Sequence, residues 1–136
     1  MTVEGKKIKW LIYTVLVGLI PIMSRLLIWG VTKDGTISAF SATDFIAFGL
    51  VLHISNINEI EHFQGERSWK TAQNGISIAF IAMYSVLFAM SMLQQGVPGL
   101  IEEGVIVSCA VSLAVISLLI SFSVFDRISK LSPAEV

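Results

Sequence analysis

Apolar residues in this sequence form four long runs, and short polar links separate them. The runs cover about residues 10–29, 40–58, 71–93 and 101–125. Each is close to the ~20 residues that an α-helix needs to cross a bilayer. Membrane strands alternate polar and apolar residues, and these runs do not. The pattern predicts an all-α fold: an integral membrane four-helix bundle that forms a single transmembrane domain over residues 1–136.

The composition agrees with a membrane protein. Of the 136 residues, 54% are hydrophobic and only 14% are charged, whereas soluble domains carry roughly 25% charged residues. A net charge of −1 argues against direct nucleic-acid binding, which needs a basic surface.

The distribution of basic residues predicts the orientation. Seven of them precede the first run, lie in the second link or follow the fourth run: Lys6, Lys7, Lys9, Arg67, Lys70, Arg127 and Lys130. The other two links contain only Lys33. Because cytoplasmic loops are enriched in Lys and Arg, both termini are predicted to be cytoplasmic. The helices then alternate up and down in an antiparallel bundle.

The second run continues into a charged segment. One helix from Phe40 to Gln64 would have 25 residues and measure about 37 Å, which exceeds the ~30 Å hydrocarbon core. Gly65 is predicted to end it and Ser68 to cap the next helix. The cytoplasmic tip, about residues 59–70, is the predicted partner-binding surface. Its candidate residues are Glu59, Glu61, His62, Glu66, Arg67 and Lys70.

Two charged residues lie within the runs. Arg25 and Asp44 are each about four residues from the outer end of their run. A charge within a membrane needs a partner, so we expect an intramembrane Arg25–Asp44 ion pair. A site lining an outer cavity, pore or subunit interface is an alternative, and so is snorkelling of both groups to the surface.

A polar group is predicted in the inner half of the second and third runs. It comprises His53, Asn56, Asn58 and Asn74. We expect interhelical hydrogen bonds among them. A proton relay or pH sensor through His53 is the alternative. His53 and His62 lack the spacing of a metal site, so no metal is predicted.

Small residues recur at helical spacing in the fourth run. One stripe is Gly104, Ser108 and Ser112, and the other is Ala110, Ala114, Ser117 and Ser121. Two stripes predict contact with more than one helix, which fits a homo-oligomer, taken as a tetramer, as well as a monomer. Serines lining a narrow pore would give the same pattern.

Three single features complete the expectations. Gly18 and Pro21 suggest either a hinge or a tolerated kink in the first helix. Cys109 lies in an apolar run and is expected to be a small packing residue. The sequence has no GxSxG, HExxH, Walker or CxxC motif, so neither an enzyme nor a cofactor is predicted.

Two segments of the sequence resemble a known family. They are IPIMSRLL in the first run and DFIAFGLVLHISNINEIEH in the second. With four spans and almost no soluble part, the chain resembles the KwaA family, the membrane subunits of the Kiwa anti-phage defence system. The resemblance implies a homo-oligomer in the bacterial inner membrane that responds to phage attack. It also implies a cytoplasmic DNA-binding effector like KwaB as partner. Small multidrug exporters differ, since their first span carries a glutamate that is absent here.

Two functions are therefore compatible with the sequence. The first is a non-enzymatic membrane scaffold and sensor that recruits a cytoplasmic effector through the tip. The second is a small ion channel or holin-like pore, with Arg25, Asp44 and the serines of the fourth run lining the path.

Overall fold

The computed structural model describes residues 3–131, with side chains from residue 5, and helix is the regular structure throughout that range. The first helix is continuous and contains α1 (Val3–Trp10), a π-helical segment (Leu11–Leu16) and α2 (Val17–Val31). The others are α3 (Ala42–His62), α4 (Arg67–Gly96) and α5 (Glu103–Leu131). The all-α prediction is confirmed for these residues.

Three helical stretches are long and apolar enough to cross a membrane: Gly5–Val31, Arg67–Gly96 and Glu103–Leu131. Many of their large apolar side chains point away from the protein. Leu27 is 69% exposed and Leu119 is 65% exposed. Lipid chains can cover such surfaces without cost, whereas water cannot. The chain is thus consistent with a multi-pass membrane protein.

The helix α3 differs from the other three. It is shorter, with 21 residues, and it is the one long helix of the described residues that is not among the three candidate spans. It packs against α2, α4 and α5, and buried residues occur along its whole length, from Ala42 to Ile60. At 1.5 Å per residue it measures about 31 Å, close to the thickness of a bilayer core.

The end of α3 differs from the sequence expectation. The helix ends at His62 and α4 begins at Arg67, so the predicted roles of Gly65 and Ser68 are wrong. Phe63 is buried and packs edge-on against Trp69 with ring centroids 5.9 Å apart. Because the Phe63 ring is buried here, α3 ends two residues earlier than it would if Gly65 ended the helix.

Apolar clusters lie above and below a polar layer. One contains Ala42, Ile46, Tyr84, Leu87, Ile106 and Ala110. Another contains Ile60, Phe63, Val124 and Ile128. Along α3 the two clusters leave His53 and Asn56 between them. Apolar clusters therefore lie on both sides of His53 and Asn56 along α3.

The first helix approaches α3 closely at Gly18. A Cβ at this position would come within 2.9 Å of the Phe48 ring. Gly18 therefore has a packing role, whatever flexibility Pro21 adds inside α2. The π-helical segment lies before both residues and places Thr14 opposite Ser55, with their hydroxyl oxygens 3.1 Å apart.

Candidate functional site

The centre of the protein is a hydrogen-bond network around His53, whose side chain is fully buried. Its Nδ1 lies 3.2 Å from Ser77 Oγ on α4. Its Nε2 lies 2.9 Å from Ser117 Oγ on α5. The Tyr84 hydroxyl lies 2.7 Å from the same Ser117 Oγ. A single imidazole thus joins three helices.

The direction of these hydrogen bonds follows from the available donors. Three hydroxyls and one imidazole N–H supply four hydrogens to three contacts, so one hydroxyl must donate elsewhere. A helical serine can donate to the carbonyl four residues before it, and Tyr84 has no such option. Tyr84 therefore donates to Ser117. The shorter imidazole contact, at Nε2, fits a donating Ser117 hydroxyl, and the longer one fits an Nδ1–H that donates to Ser77.

Two rings and a glycine fix the position of His53 and its neighbours. The imidazole stacks on Phe80 with ring centroids 4.7 Å apart. Tyr84 is fully buried, and its ring occupies the space that a side chain on Gly49 would need. The network is thus held by close packing as well as by hydrogen bonds.

The inner polar cluster differs from the predicted one. Asn56 is buried, and its Nδ2 donates to Ser121 Oγ at 2.9 Å. Asn58 is exposed. Since an α-helix turns about 100° per residue, Asn58 is about 140° around α3 from His53. Asn74 is half-buried, and its Oδ1 accepts no hydrogen bond within residues 5–131. Asn58 and Asn74 therefore do not join the cluster.

The structure brings Arg25 and Asp44 together. Arg25 Nε donates to Asp44 Oδ2, and the side chains are 29% and 14% exposed. Asp44 lies in the first turn of α3, where the helix dipole also favours a negative charge. The pair lines a cavity of about 240 Å³ together with Pro21, Ser24, Ile28 and Ile37.

The six predicted tip residues fall into two groups. Four are exposed, and their side chains bind no backbone carbonyl of the described residues: Glu59, Glu61, Glu66 and Arg67. The other two, the exposed His62 and the half-buried Lys70, satisfy backbone carbonyls at the end of α3. His62 Nδ1 donates to the Asn58 carbonyl at 2.7 Å. Lys70 Nζ donates to the carbonyls of Phe63 at 2.8 Å and Glu61 at 3.2 Å. The contacts give His62 and Lys70 a structural role.

An ion cluster that the sequence reasoning missed joins the first helix to α5. Asp126 Oδ1 lies 2.6 Å from Lys7 Nζ, and Asp126 Oδ2 lies 2.6 Å from Lys130 Nζ. Asp126 follows the predicted fourth span, which ends at about residue 125. A single carboxylate therefore pairs with one lysine of the first helix and one lysine of α5.

The two small-residue stripes on α5 have different surroundings. Ala110, Ala114, Ser117 and Ser121 are all buried. Ser108 and Ser112 are exposed, and each hydroxyl donates to the carbonyl four residues earlier at 2.8 Å. Cys109 is also exposed, so it does not pack in the interior of the described chain.

Ser77 and Tyr84 are the partners that sequence reasoning missed, because a single serine or tyrosine is an ordinary residue in an apolar run and gives no signal of its own. Ser117 and Ser121 were recognised only as small residues. The packing of α5 against α3 is what places them opposite His53 and Asn56. Within the described residues, no group of three His, Cys, Asp or Glu side chains could hold a metal ion.

Comparison with known proteins identifies no relative. No protein-family model, no curated protein and no solved structure matches the chain.

Proposed function

We propose that the chain is a multi-pass protein of the bacterial inner membrane and a non-enzymatic scaffold and sensor. Its four helices form an antiparallel bundle with both termini in the cytoplasm. The tip between α3 and α4 recruits a cytoplasmic protein partner. The observation that carries this proposal is the exposed acidic surface formed by Glu59, Glu61 and Glu66 at the end of a closely packed helix pair.

Contacts at one end of the helices support the orientation. Lys7 pairs with Asp126. The Arg127 guanidinium lies over the Trp69 ring at 4.7 Å and is 3.9 Å from Glu66. Basic residues of α1, of the start of α4 and of the end of α5 are thereby gathered at one end, as the positive-inside rule requires of a cytoplasmic side.

The closed interior favours a scaffold over a pore within one copy. His53, Ser117 and Ser121 are fully buried, and their polar atoms contact one another or Asn56, Ser77 and Tyr84. A conducting path needs polar groups that are free to exchange partners with water or an ion. Here the polar groups serve to hold helices together.

Self-association is a further part of the proposal. An exposed groove of about 570 Å³ between α4 and α5 is lined by Met83, Val86, Ser108, Cys109 and Ser112 among others. Small residues there would let a helix of another copy approach closely. A homo-oligomer, with four copies as the expected number, would present several tips to the cytoplasm.

Anti-phage defence is the biological setting that the resemblance to KwaA proteins implies. In that setting the partner is a DNA-binding effector like KwaB, and the stimulus is phage attack at the envelope. The acidic tip would suit a basic surface on such a partner, because complementary charge steers association.

Affinity purification tests the tip as the docking surface. The chain is purified in mild detergent from cells that carry its own gene neighbourhood. The variant Glu61→Gln/Glu66→Gln is expected to recover about tenfold less of the soluble partner, because exposed ion pairs contribute up to about 1 kcal/mol each. Asp34→Asn/Glu102→Gln, which removes two exposed acids at the other end, is the control.

The control is expected to recover the partner as the unchanged chain does. If the unchanged chain recovers no soluble protein, or if the tip variant recovers the same amount of the same protein, the tip does not recruit a partner.

A further inference from the structure

A second site lies beside the first helix, at the end of the protein that we assign to the cytoplasm. We propose that a cavity of about 480 Å³ there binds the headgroup of an anionic phospholipid. The cavity lies where α1 passes the ends of α3 and α5. It shares Glu59 with the acidic surface of the tip, but Glu61 and Glu66 do not line it. The inference rests on the proposed membrane insertion and not on partner recruitment.

Basic side chains line one edge of the cavity. Lys6 and Lys9 are three residues apart, which places them on one face of α1. Lys7 points elsewhere and pairs with Asp126. Within the part of the chain that the structure describes, neither Lys6 nor Lys9 has a carboxylate within ion-pair distance. Two ammonium groups are therefore available to a phosphate.

The floor of the cavity is apolar and rigid. Trp10 is only 7% exposed and stacks on Phe125, with ring centroids 5.1 Å apart. Phe63 and Ile128 complete the floor. Tyr13 lies one turn after Lys9, lines the same cavity and is 68% exposed. Tryptophan and tyrosine beside lysines are characteristic of the level of lipid headgroups.

The charges in the cavity favour a lipid with one net negative charge. Glu59 and His62 also line it. The formal charges of Lys6, Lys9 and Glu59 sum to +1. The phosphodiester of phosphatidylglycerol would accept hydrogen bonds from the two amines, and a headgroup hydroxyl would donate to Glu59. Phosphatidylethanolamine would leave the net charge of the cavity unbalanced, although its ammonium also suits Glu59.

Native mass spectrometry of the detergent-solubilised protein tests the site. Phosphatidylglycerol and phosphatidylethanolamine are titrated separately, and the anionic lipid is expected to bind more tightly. Lys6→Gln/Lys9→Gln is expected to weaken phosphatidylglycerol binding roughly 25-fold, since each lysine near an anionic lipid surface contributes about fivefold. Lys6→Arg/Lys9→Arg keeps both charges and should retain binding.

Two controls distinguish a lipid site from a general charge effect and from a site for free phosphate. Lys33→Gln removes an exposed charge in the link between α2 and α3 and should leave lipid binding unchanged. Excess inorganic phosphate should leave the lipid bound, because it cannot use the apolar floor. Equal binding of the two lipids, full binding by Lys6→Gln/Lys9→Gln, equal weakening by Lys33→Gln, or displacement by phosphate would each overturn the site.

A measurement on the unchanged protein covers the case in which the double variant does not fold. A photoactivatable phosphatidylglycerol is expected to label the segment from Lys6 to Tyr13 above all others. Labelling spread evenly over the exposed apolar surface would show annular lipid only and overturn the proposal. Neither result depends on recovery of a protein partner, so the two proposals fail independently.

Discussion

Gly49 on α3 lies directly against the phenol ring of Tyr84 on α4. The ring occupies the space that a Cβ atom at position 49 would need. Tyr84 cannot easily move away, because it is fully buried and its hydroxyl is held by Ser117. The contact sets how closely α3 and α4 approach, and it brings Ser77 within reach of His53.

Replacing Gly49 with alanine is expected to destabilise the protein by about 1–3 kcal/mol, the usual range for overpacking a rigid core. The measurement is reversible unfolding in detergent. Gly75→Ala is the matched control, since Gly75 is also helical and has no atom within 4 Å of the added Cβ. The control should be neutral or slightly stabilising. Equal stability of the two variants would mean that α3 and α4 do not pack this way.

Ser117 should matter more than any other serine of α5. Ser117→Ala removes contacts with both His53 and Tyr84 and is expected to cost about 1 kcal/mol, since interhelical hydrogen bonds in membranes average about 0.6 kcal/mol each. Ser112→Ala, which loses only a bond within its own helix, should change unfolding little. Equal effects of the two substitutions would exclude the His53 network as a source of stability.

The two imidazole contact distances, 2.9 Å at Nε2 and 3.2 Å at Nδ1, predict the tautomer of His53. The proton should reside on Nδ1, while Nε2 accepts from Ser117. Nitrogen NMR of a His62→Gln variant leaves His53 as the one histidine. It is expected to show a protonated Nδ1 and an unprotonated Nε2. The opposite assignment would mean that Ser77 donates to Nδ1 and that Nε2–H donates to Ser117.

The Arg25–Asp44 pair should appear as an energetic coupling. Arg25→Gln and Asp44→Asn each leave a half-buried charge without its partner, so the double variant should be more stable than the sum of the single effects implies. A coupling of about 1–2 kcal/mol is expected from unfolding measurements. Strict additivity would show that the two side chains reach the surface separately.

Much of the fold can be predicted from the chain because apolar runs of this length have few alternatives. The four runs correspond to the four continuous helices, and their ends differ by two to seven residues. The pairing of Arg25 with Asp44 could be predicted because the link between their helices is short and both residues lie about four residues from the outer end of their run. The boundary at His62 could not be predicted, because it depends on the burial of Phe63 against Trp69.

Only part of the polar network around His53 could be predicted from the sequence. His53 and Asn56 stand out in an apolar run, but their partners are serines, which are common in membrane helices. Asparagines were expected to pair with asparagines at similar depth. The helix rotation turns Asn58 outward instead, and Ser121 takes the place opposite Asn56. Only the packing of α5 against α3 decides this.

In the proposed topology, α3 crosses the membrane inside the other helices, although its own sequence is not apolar enough to place it among the three candidate spans. If it crosses, the exposed residues Asp34 and Gln64 lie on opposite sides. In a Cys109→Ser background, single cysteines are introduced as Asp34→Cys or Gln64→Cys, and intact cells are treated with a membrane-impermeant thiol reagent. Labelling is expected at position 34 alone, with position 64 reacting only after the cells are opened. Equal reactivity of both positions in intact cells would contradict this topology.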